Sequence, residues 1–280
     1  MHYISAKKGK MKKFAVIGNP IKHSLSPQIH SEFARQHSID LTYEKILADN
    51  EINFTSTIKN LISDGYSGVN VTLPFKGCAA KISTIRTSDV DLTGSTNTLC
   101  FDKSVIKAHT TDGNGLVNDL IEKIGSISNS SILLLGAGGA ANGVIPSIFS
   151  EKISHLYLWN RTIQKSFDMA ESWHESYKKV SVMEKIELNN IDIVINATSA
   201  GVDDNSLCPI SLNDSHKEII CYDMMYGKQT PFLKNASDNN LTSFDGLGML
   251  VKQAAASFEI WHGLKVESKI IEASLRSTLI

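Results

Sequence analysis

Residues 132 to 149 carry a short apolar run, a glycine loop and a helical stretch in immediate succession. Ile132-Leu133-Leu134-Leu135 has the length and character of a buried strand. Gly136-Ala137-Gly138-Gly139-Ala140-Ala141 follows and matches G-x-G-x-x-A through Gly136, Gly138 and Ala141. The first glycine makes the tight turn, the second lets backbone approach a pyrophosphate, and the small third residue lets helix pack on strand. The free N–H groups of the helix start then face the phosphates. A glycine-rich turn alone says little. One that leaves a strand and opens a helix predicts a Rossmann-like dinucleotide-binding unit.

The flanking sequence extends this pattern. Strands are expected at 155–159, 191–195 and 219–223, with a helix at 163–177. A separate series precedes it: strands near 13–18, 42–47 and 69–73, and helices at 28–36 and 52–63. Such alternation implies an α/β layer with a parallel or mostly parallel sheet. The expected fold class is α/β, an N-terminal α/β substrate domain plus a Rossmann-like domain with a cleft between them. The expected boundaries are 12–112 for the substrate domain and 113–244 for the dinucleotide domain. Helices at 250–262 and 266–277 are expected to return, so that 245–280 completes the first domain.

Bulk properties remove several function classes. Lys and Arg number 28 against 29 Asp and Glu, so no basic face points to nucleic acid and no acidic tail to a charged partner. Cys78, Cys100, Cys208 and Cys221 form no C-x-x-C pattern and read as reduced thiols of a cytoplasmic protein. No stretch reaches the roughly 20 apolar residues of a membrane helix. The start, Met1 to Met11, has lysines but no apolar run, so it reads as a loose basic tail rather than a secretory signal, with Met11 a second candidate initiator.

Candidate chemistry clusters at a few places. In Val69-Asn70-Val71-Thr72-Leu73-Pro74-Phe75-Lys76, Asn70 and Thr72 share a strand face and Lys76 follows the strand. Most lysines are solvated charges, and an Asp-Gly pair such as Asp112-Gly113 favours turns. Together, Lys76 and Asp112 make a candidate acid/base pair, because a carboxylate stabilises and orients an ammonium. Which of the two moves the proton is open. After the 155–159 strand, Asn160-Arg161-Thr162 and Lys165 stand where an NAD enzyme carries an acidic residue for the ribose. With no carboxylate to repel a 2′-phosphate, and Arg161 able to fork onto it, the reading is NADP. Ser24 and Ser26 suit either helix capping or ligand binding. Gln253, Asn97 and Tyr226 are ambiguous singly. His23, His30 and His109 lack ligand spacing, so no metal is assigned.

These residues together resemble the shikimate dehydrogenase family, from about Phe14 to Trp261-His262-Gly263. The family patterns occur in order: Gly18-Asn19-Pro20-Ile21 leading to His23-Ser24-Leu25-Ser26-Pro27; Asn70 to Lys76; Asn97-Thr98; Thr111-Asp112-Gly113; the glycine loop; Asn160-Arg161-Thr162; Asn196-Ala197-Thr198-Ser199; Tyr222-Asp223-Met224-Met225-Tyr226; and Asp245 to Leu250 with Gln253. The resemblance implies reversible reduction of 3-dehydroshikimate to shikimate by NADPH, on the route to chorismate and aromatic amino acids. It implies that Ser24 and Ser26 hold the substrate carboxylate, that Asn70, Thr72, Asn97, Tyr226 and Gln253 read the other oxygens, and that Lys76 and Asp112 are catalytic. It places Gly136, Ala137, Gly138, Gly139 and Ala140 on the pyrophosphate. Asn160, Arg161, Thr162 and Lys165 fall on the 2′-phosphate, and Met224 and Gly246 near the nicotinamide. No metal is implied, and the expected state is a monomer or homodimer.

Three positions depart from the family pattern. Ser95-Thr96 precede Asn97 where smaller or apolar residues are usual, Thr110 replaces an asparagine, and Ala141-Asn142 replace a frequent Ser-Arg pair. Two rival functions stand beside the main one. A broader quinate/shikimate dehydrogenase using NAD or NADP would favour an acidic residue in place of Asn160-Arg161. A non-catalytic NADPH-binding regulator would have lost Lys76 or Asp112.

Overall fold

The computed structural model describes residues 11–200, 207–213 and 218–279; the expected basic start at 1–10 lies outside them. The chain is α/β and forms two compact units. The first comprises 11–111 with Ala254–Glu267, and the second Asp112–Gln253 with the described residues from Ser268 onward.

The first unit contains β1 (Lys12–Gly18), α1 (Ser26–Gln36), β2 (Leu41–Leu47), α2 (Glu51–Ser63), β3 (Tyr66–Val71), α3 (Lys76–Ile82), β4 (Ile85–Arg86), α4 (Ser88–Thr93), β5 (Thr98–Asp102) and β6 (Val105–His109). Its sheet runs β2-β1-β3-β5-β6-β4. The sheet is mostly parallel, as expected: β5 runs antiparallel to both β3 and β6, and the other five strands share one direction. β5 and β6 form a hairpin whose turn places Lys103 at φ 55°. One sheet face packs Ala15, Ile17, Val69, Val71 and Leu99 against Phe54, Ile58 and Phe75. The other carries Phe14, whose ring stacks on Trp261 at 4.5 Å, and Trp261 Nε1 donates to Leu99 O at 3.1 Å. α2 starts at Asn50, whose side chain accepts the Asn53 N–H at 2.9 Å and satisfies one orphan donor.

The second unit contains α5 (Asp112–Ile124), β7 (Ser131–Leu135), α6 (Gly139–Ser150), β8 (His155–Trp159), α7 (Ile163–His174), β9 (Val180–Val182), β10 (Ile193–Asn196), β11 (Ile220–Asp223), α8 (Pro231–Asp238) and β12 (Thr242–Phe244). α9 (Leu247–His262) follows, its residues up to Gln253 in this unit, and then α10 (Ser268–Thr278). The sheet is parallel, in the order β12-β11-β10-β7-β8-β9. Counted from β7, that is the doubly wound order of a Rossmann fold. Alternation on β7 divides its side chains. Ile132 and Leu134 pack with Leu116, Val144 and Trp173 on one face, Leu133 and Leu135 with Ile210, Phe232 and Leu241 on the other.

The sequence expectation put all of 245–280 with the first domain, whereas by contact the chain divides there: 254–267 group with the first unit, and 245–253 and α10 with the second. Glu272 accepts from Lys123 at 2.9 Å, and Arg276 donates to Asp245 at 2.8 Å. No helix among the described residues is long and apolar enough to cross a membrane.

Candidate active site

The dinucleotide loop is built by the turn out of β7. Gly136 adopts φ +110°, donates its N–H to Trp159 O at 2.7 Å, and would place a Cβ 3.1 Å from Ala197 O, just past β10. Only glycine fits that conformation comfortably. The loop thus lies between β7 and β10, where the strand order reverses and open α/β sheets bind ligands. Gly138 caps α6 without a side-chain bond, and a Cβ at Gly138 or Gly139 would meet nothing within 4 Å. Open space at a helix N-terminus suits a pyrophosphate. Ala141 is wholly buried against the sheet, as the third small residue should be. Ala137 is half-buried and Ala140 exposed.

Asn160, Arg161 and Thr162 link β8 to α7. The Asn160 amide donates to Thr162 O at 3.0 Å, and Thr162 O also accepts the Lys165 N–H. Arg161 and Lys165 are exposed and make no ion pair among the described residues, so both cations are available to a phosphate. Asn142, which stands where the family often has arginine, accepts from Trp173 Nε1 at 2.8 Å and ties α6 to α7.

Met224 and Gly246 are brought together. Met224 N donates to Asn196 O at 2.9 Å, and Gly246 N to Met225 O at 2.8 Å. A Cβ on Gly246 would overlap the Met224 carbonyl, so the close approach requires glycine. Asp223, named in the sequence only within a family pattern and given no role of its own, organises this turn. Its buried carboxylate accepts from Met225 N at 3.0 Å and from Thr230 Oγ1 at 2.5 Å, while burial raises its pKa. Tyr226 follows on the same turn, its phenol pKa raised by burial. Gln253 is buried on α9 beside Gly115 and donates to Leu250 O at 2.8 Å.

In the first unit, hydroxyls and amides form one buried network. Ser24 Oγ contacts Ser26 Oγ at 3.2 Å and accepts the Ser26 N–H at 3.3 Å. The N-cap of α1 is Leu25, without a side-chain cap bond, so neither serine serves the capping alternative there. Tyr43 OH donates to Asn70 Oδ1 at 2.7 Å. Asn70 Nδ2 donates to Asn97 O, Thr98 Oγ1 and Ser257 Oγ at 3.0–3.1 Å. Asn97 Nδ2 donates to Thr111 Oγ1, and Asn97 Oδ1 accepts the Thr111 N–H, both at 2.8 Å. Thr96, one of the departures from the family pattern, is wholly buried and donates to His109 O at 2.5 Å, tying the start of β5 to the end of β6. Thr72 lies past the end of β3, its N–H continuing the ladder to Ile17 O at 3.0 Å. Tyr43, Thr98 and Ser257 were not singled out as site residues. Ser257 left one signal: it lies four residues after Gln253 on α9.

Lys76 is the first residue of α3, past the end of β3. It is half-buried and held from both sides. Phe75 stacks on Phe54 at 5.0 Å, and Lys76 O accepts the Thr96 N–H at 3.1 Å. Asp112 opens α5, where the helix dipole favours a carboxylate. A Cβ on the next residue, Gly113, would lie 2.8 Å from Ser147 Cβ, so glycine lets the start of α5 meet α6.

Among the described residues one carboxylate trio has metal-ligand spacing, Asp119, Glu122 and Glu272. Lys252 Nζ lies 3.1–3.6 Å from all three, so an ammonium already balances that charge.

Comparison with known proteins bears on the whole chain. Residues 16–99 match the shikimate dehydrogenase substrate binding domain, 119–205 the shikimate / quinate 5-dehydrogenase family, and 246–276 the shikimate 5'-dehydrogenase C-terminal domain. Shikimate dehydrogenase (NADP(+)) of Vesicomyosocius okutanii subsp. Calyptogena okutanii is 41% identical over 269 residues, 95% of this chain and 100% of the relative. That of Herminiimonas arsenicoxydans is 43% identical over 270 residues, 95% and 98%. Among solved structures, shikimate 5-dehydrogenase from Thermus thermophilus in complex with NADP(H) and shikimate superposes with a TM-score of 0.86 at 27% identity, covering 95% of this chain and 99% of that one.

Proposed function

This chain belongs to the shikimate dehydrogenase family, and we propose that it reversibly reduces 3-dehydroshikimate to shikimate with NADPH, on the route to chorismate and the aromatic amino acids. The observation that carries this reading is the buried polar network of Asn70, Asn97, Thr98 and Thr111, joined to Ser26 through Tyr43. A small ring bearing one carboxylate and several hydroxyls needs such a lining of amides and hydroxyls.

The residues divide the work. Ser24 and Ser26 hold the substrate carboxylate through hydroxyls. Asn70, Thr72, Asn97, Tyr226 and Gln253 bind the ring oxygens. Gly136 to Ala140 supply backbone N–H groups to the pyrophosphate, and Arg161 with Lys165, beside Asn160 and Thr162, selects the 2′-phosphate. Met224 and Gly246 border the nicotinamide. NADPH supplies the hydride that reduces the ketone carbon. As negative charge develops on the ketone oxygen, the Lys76 ammonium donates a proton there and is left as the amine until solvent reprotonates it. Asp112 orients Lys76 and accepts a hydrogen bond from a ring hydroxyl. The enzyme is proposed to act in the cytoplasm as a monomer or homodimer.

The test follows the nicotinamide absorbance with shikimate or quinate, each offered NADP or NAD. Fast turnover with shikimate and NADP alone is expected. Comparable turnover with quinate or NAD moves the protein to the broader dehydrogenase class, and no turnover removes the enzymatic reading. Lys76→Ala is expected to lower kcat by at least about 100-fold, the usual worth of a positioned acid or base, with NADP affinity unchanged. A near-normal kcat would end that role for Lys76.

A further inference from the structure

Ser257 is a wholly buried hydroxyl on α9 with partners from three separate segments. Its Oγ lies 3.1 Å from Asn70 Nδ2, 2.7 Å from Thr98 Oγ1 and 3.2 Å from Thr111 Oγ1. Asn70 is on β3, Thr98 opens β5, and Thr111 follows β6. A serine hydroxyl has one proton and two lone pairs, so proton counting limits how these bonds run.

The Asn70 amide nitrogen can only donate, since its Oδ1 already accepts from Tyr43. Thr111 Oγ1 receives a proton from Asn97 Nδ2; either hydroxyl can donate in its contact with Ser257, and in the arrangement that closes a ring Thr111 turns its proton to Ser257. Ser257 then donates to Thr98 Oγ1. Thr98 passes its proton to Asn97 Oδ1, at 3.3 Å. The bonds close a ring from the Asn97 amide nitrogen through Thr111, Ser257 and Thr98 back to the Asn97 amide oxygen. Asn97 has one orientation that satisfies both ends of this ring. Reversing the amide would set its NH₂ against the Thr111 N–H, and its oxygen against a Thr111 hydroxyl that already serves Ser257.

We infer that Ser257 is a positioning residue of the substrate site, closing a hydrogen-bond ring that acts with the Thr111 N–H to fix which way the Asn97 amide faces. The inference rests on the proposed shikimate activity and deepens it. Without the Ser257 hydroxyl the ring opens between Thr98 and Thr111, both buried, and the Thr111 N–H on Asn97 Oδ1 loses the support of that ring in holding the amide.

The test is steady-state kinetics of Ser257→Ala, Ser257→Thr and Ser257→Val beside the wild type, with melting temperatures. Ser257→Ala is expected to raise the KM for shikimate about tenfold, as losing a buried hydrogen bond at a recognition site does, and to leave the KM for NADP within about twofold. Thr and Val have nearly the same shape and differ in the hydroxyl. Ser257→Thr is therefore expected to stay at least about threefold below Ser257→Val in KM for shikimate, even if the alanine variant folds poorly. A shikimate KM unchanged in Ser257→Ala overturns the inference. So does equal behaviour of the Thr and Val variants, or a parallel rise in the KM for NADP. A wild type that oxidises shikimate beside such variants overturns the role of Ser257 alone; a wild type inert to shikimate overturns the proposed function with it.

Discussion

At the scale of a single residue, His30 shows how the first unit sets its chemistry by burial. The ring is wholly enclosed, stacked on Tyr43 at 4.5 Å and 10°, with Phe33, Phe258 and Trp261 around it. Burial, helped by nearby His262, pulls its pKa down to about 3. An unfolded chain protonates this histidine near 6.5, whereas the folded one stays neutral until about pH 3. Between those values the unfolded state binds more protons, so stability falls as pH is lowered through that window. His262, pulled down to about 4 mainly by burial, acts in the same direction. His30→Phe keeps the apolar stacking and removes the titration. It is expected to lessen the stability lost on going from pH 7 to pH 4 by on the order of 3 kcal/mol. Urea unfolding of both proteins at each pH measures this; equal losses would show that His30 is not held neutral. Residues of this kind were only partly legible. Ser24, Asn70 and Lys76 lie within short local patterns. The partners of Ser257 lie 146 to 187 residues away, so no local spacing announces them.

At the scale of elements, what is local is what a sequence displays. The β7 run, its glycine loop and α6 are contiguous, and every residue type there answers to a local need: a positive φ at Gly136, open space at Gly138, close packing at Ala141. The β5–β6 hairpin is as regular in space but invisible beforehand. Its turn, around Lys103 and Ser104, contains no Asn-Gly or Asp-Gly signal, yet Lys103 takes the left-handed conformation. α10 was misplaced for a related reason. Glu272 and Arg276 look like a solvated i,i+4 pair, whereas Glu272 is buried and bonded to Lys123 of α5. The β8–α7 connection carries the sharpest prediction at this scale. Arg161 is exposed and unpaired among ions of the described residues, Asn142 is committed to Trp173, and no carboxylate stands in the Asn160–Thr162 connection. Arg161→Ala is expected to raise the KM for NADP about tenfold or more and leave the KM for NAD within about twofold, since a charge-assisted bond to the 2′-phosphate exists only with NADP. Equal changes for both cofactors would move the 2′-phosphate contact elsewhere.

At the scale of the whole molecule, a nearly neutral chain holds a dense set of paired charges inside its second unit. Asp119, Glu122, Asp245 and Glu272 meet Lys123, Lys252, Lys269 and Arg276, joining α5, the start of α9 and α10. Lys252 is the centre, nearly buried and within ion-pair reach of three carboxylates. Burial acts to lower its pKa, but Asp119, Glu122 and Glu272 outweigh burial and raise it above the ordinary lysine value. Its contribution is therefore present below about pH 10.5 and lost as pH rises through the raised value. Asp119 has little room to adjust. It is wholly buried, accepts from Tyr222 OH at 2.8 Å, and fills the space that a side chain at Gly248 would need. Lys252→Met keeps much of the side chain's volume but leaves Asp119 without its nearest cation, Lys123 being 4.0 Å away. Breaking a buried pair from one side costs about 3–5 kcal/mol, whereas replacing both partners by apolar groups is often neutral. Lys252→Met is thus expected to lower unfolding stability by several kcal/mol, and Lys252→Met with Asp119→Leu to lower it less. Urea unfolding of the single and double variants decides. A double variant less stable than Lys252→Met would mean that Asp119 is held mainly by Tyr222, and that the ion network does not bind α5, α9 and α10 together.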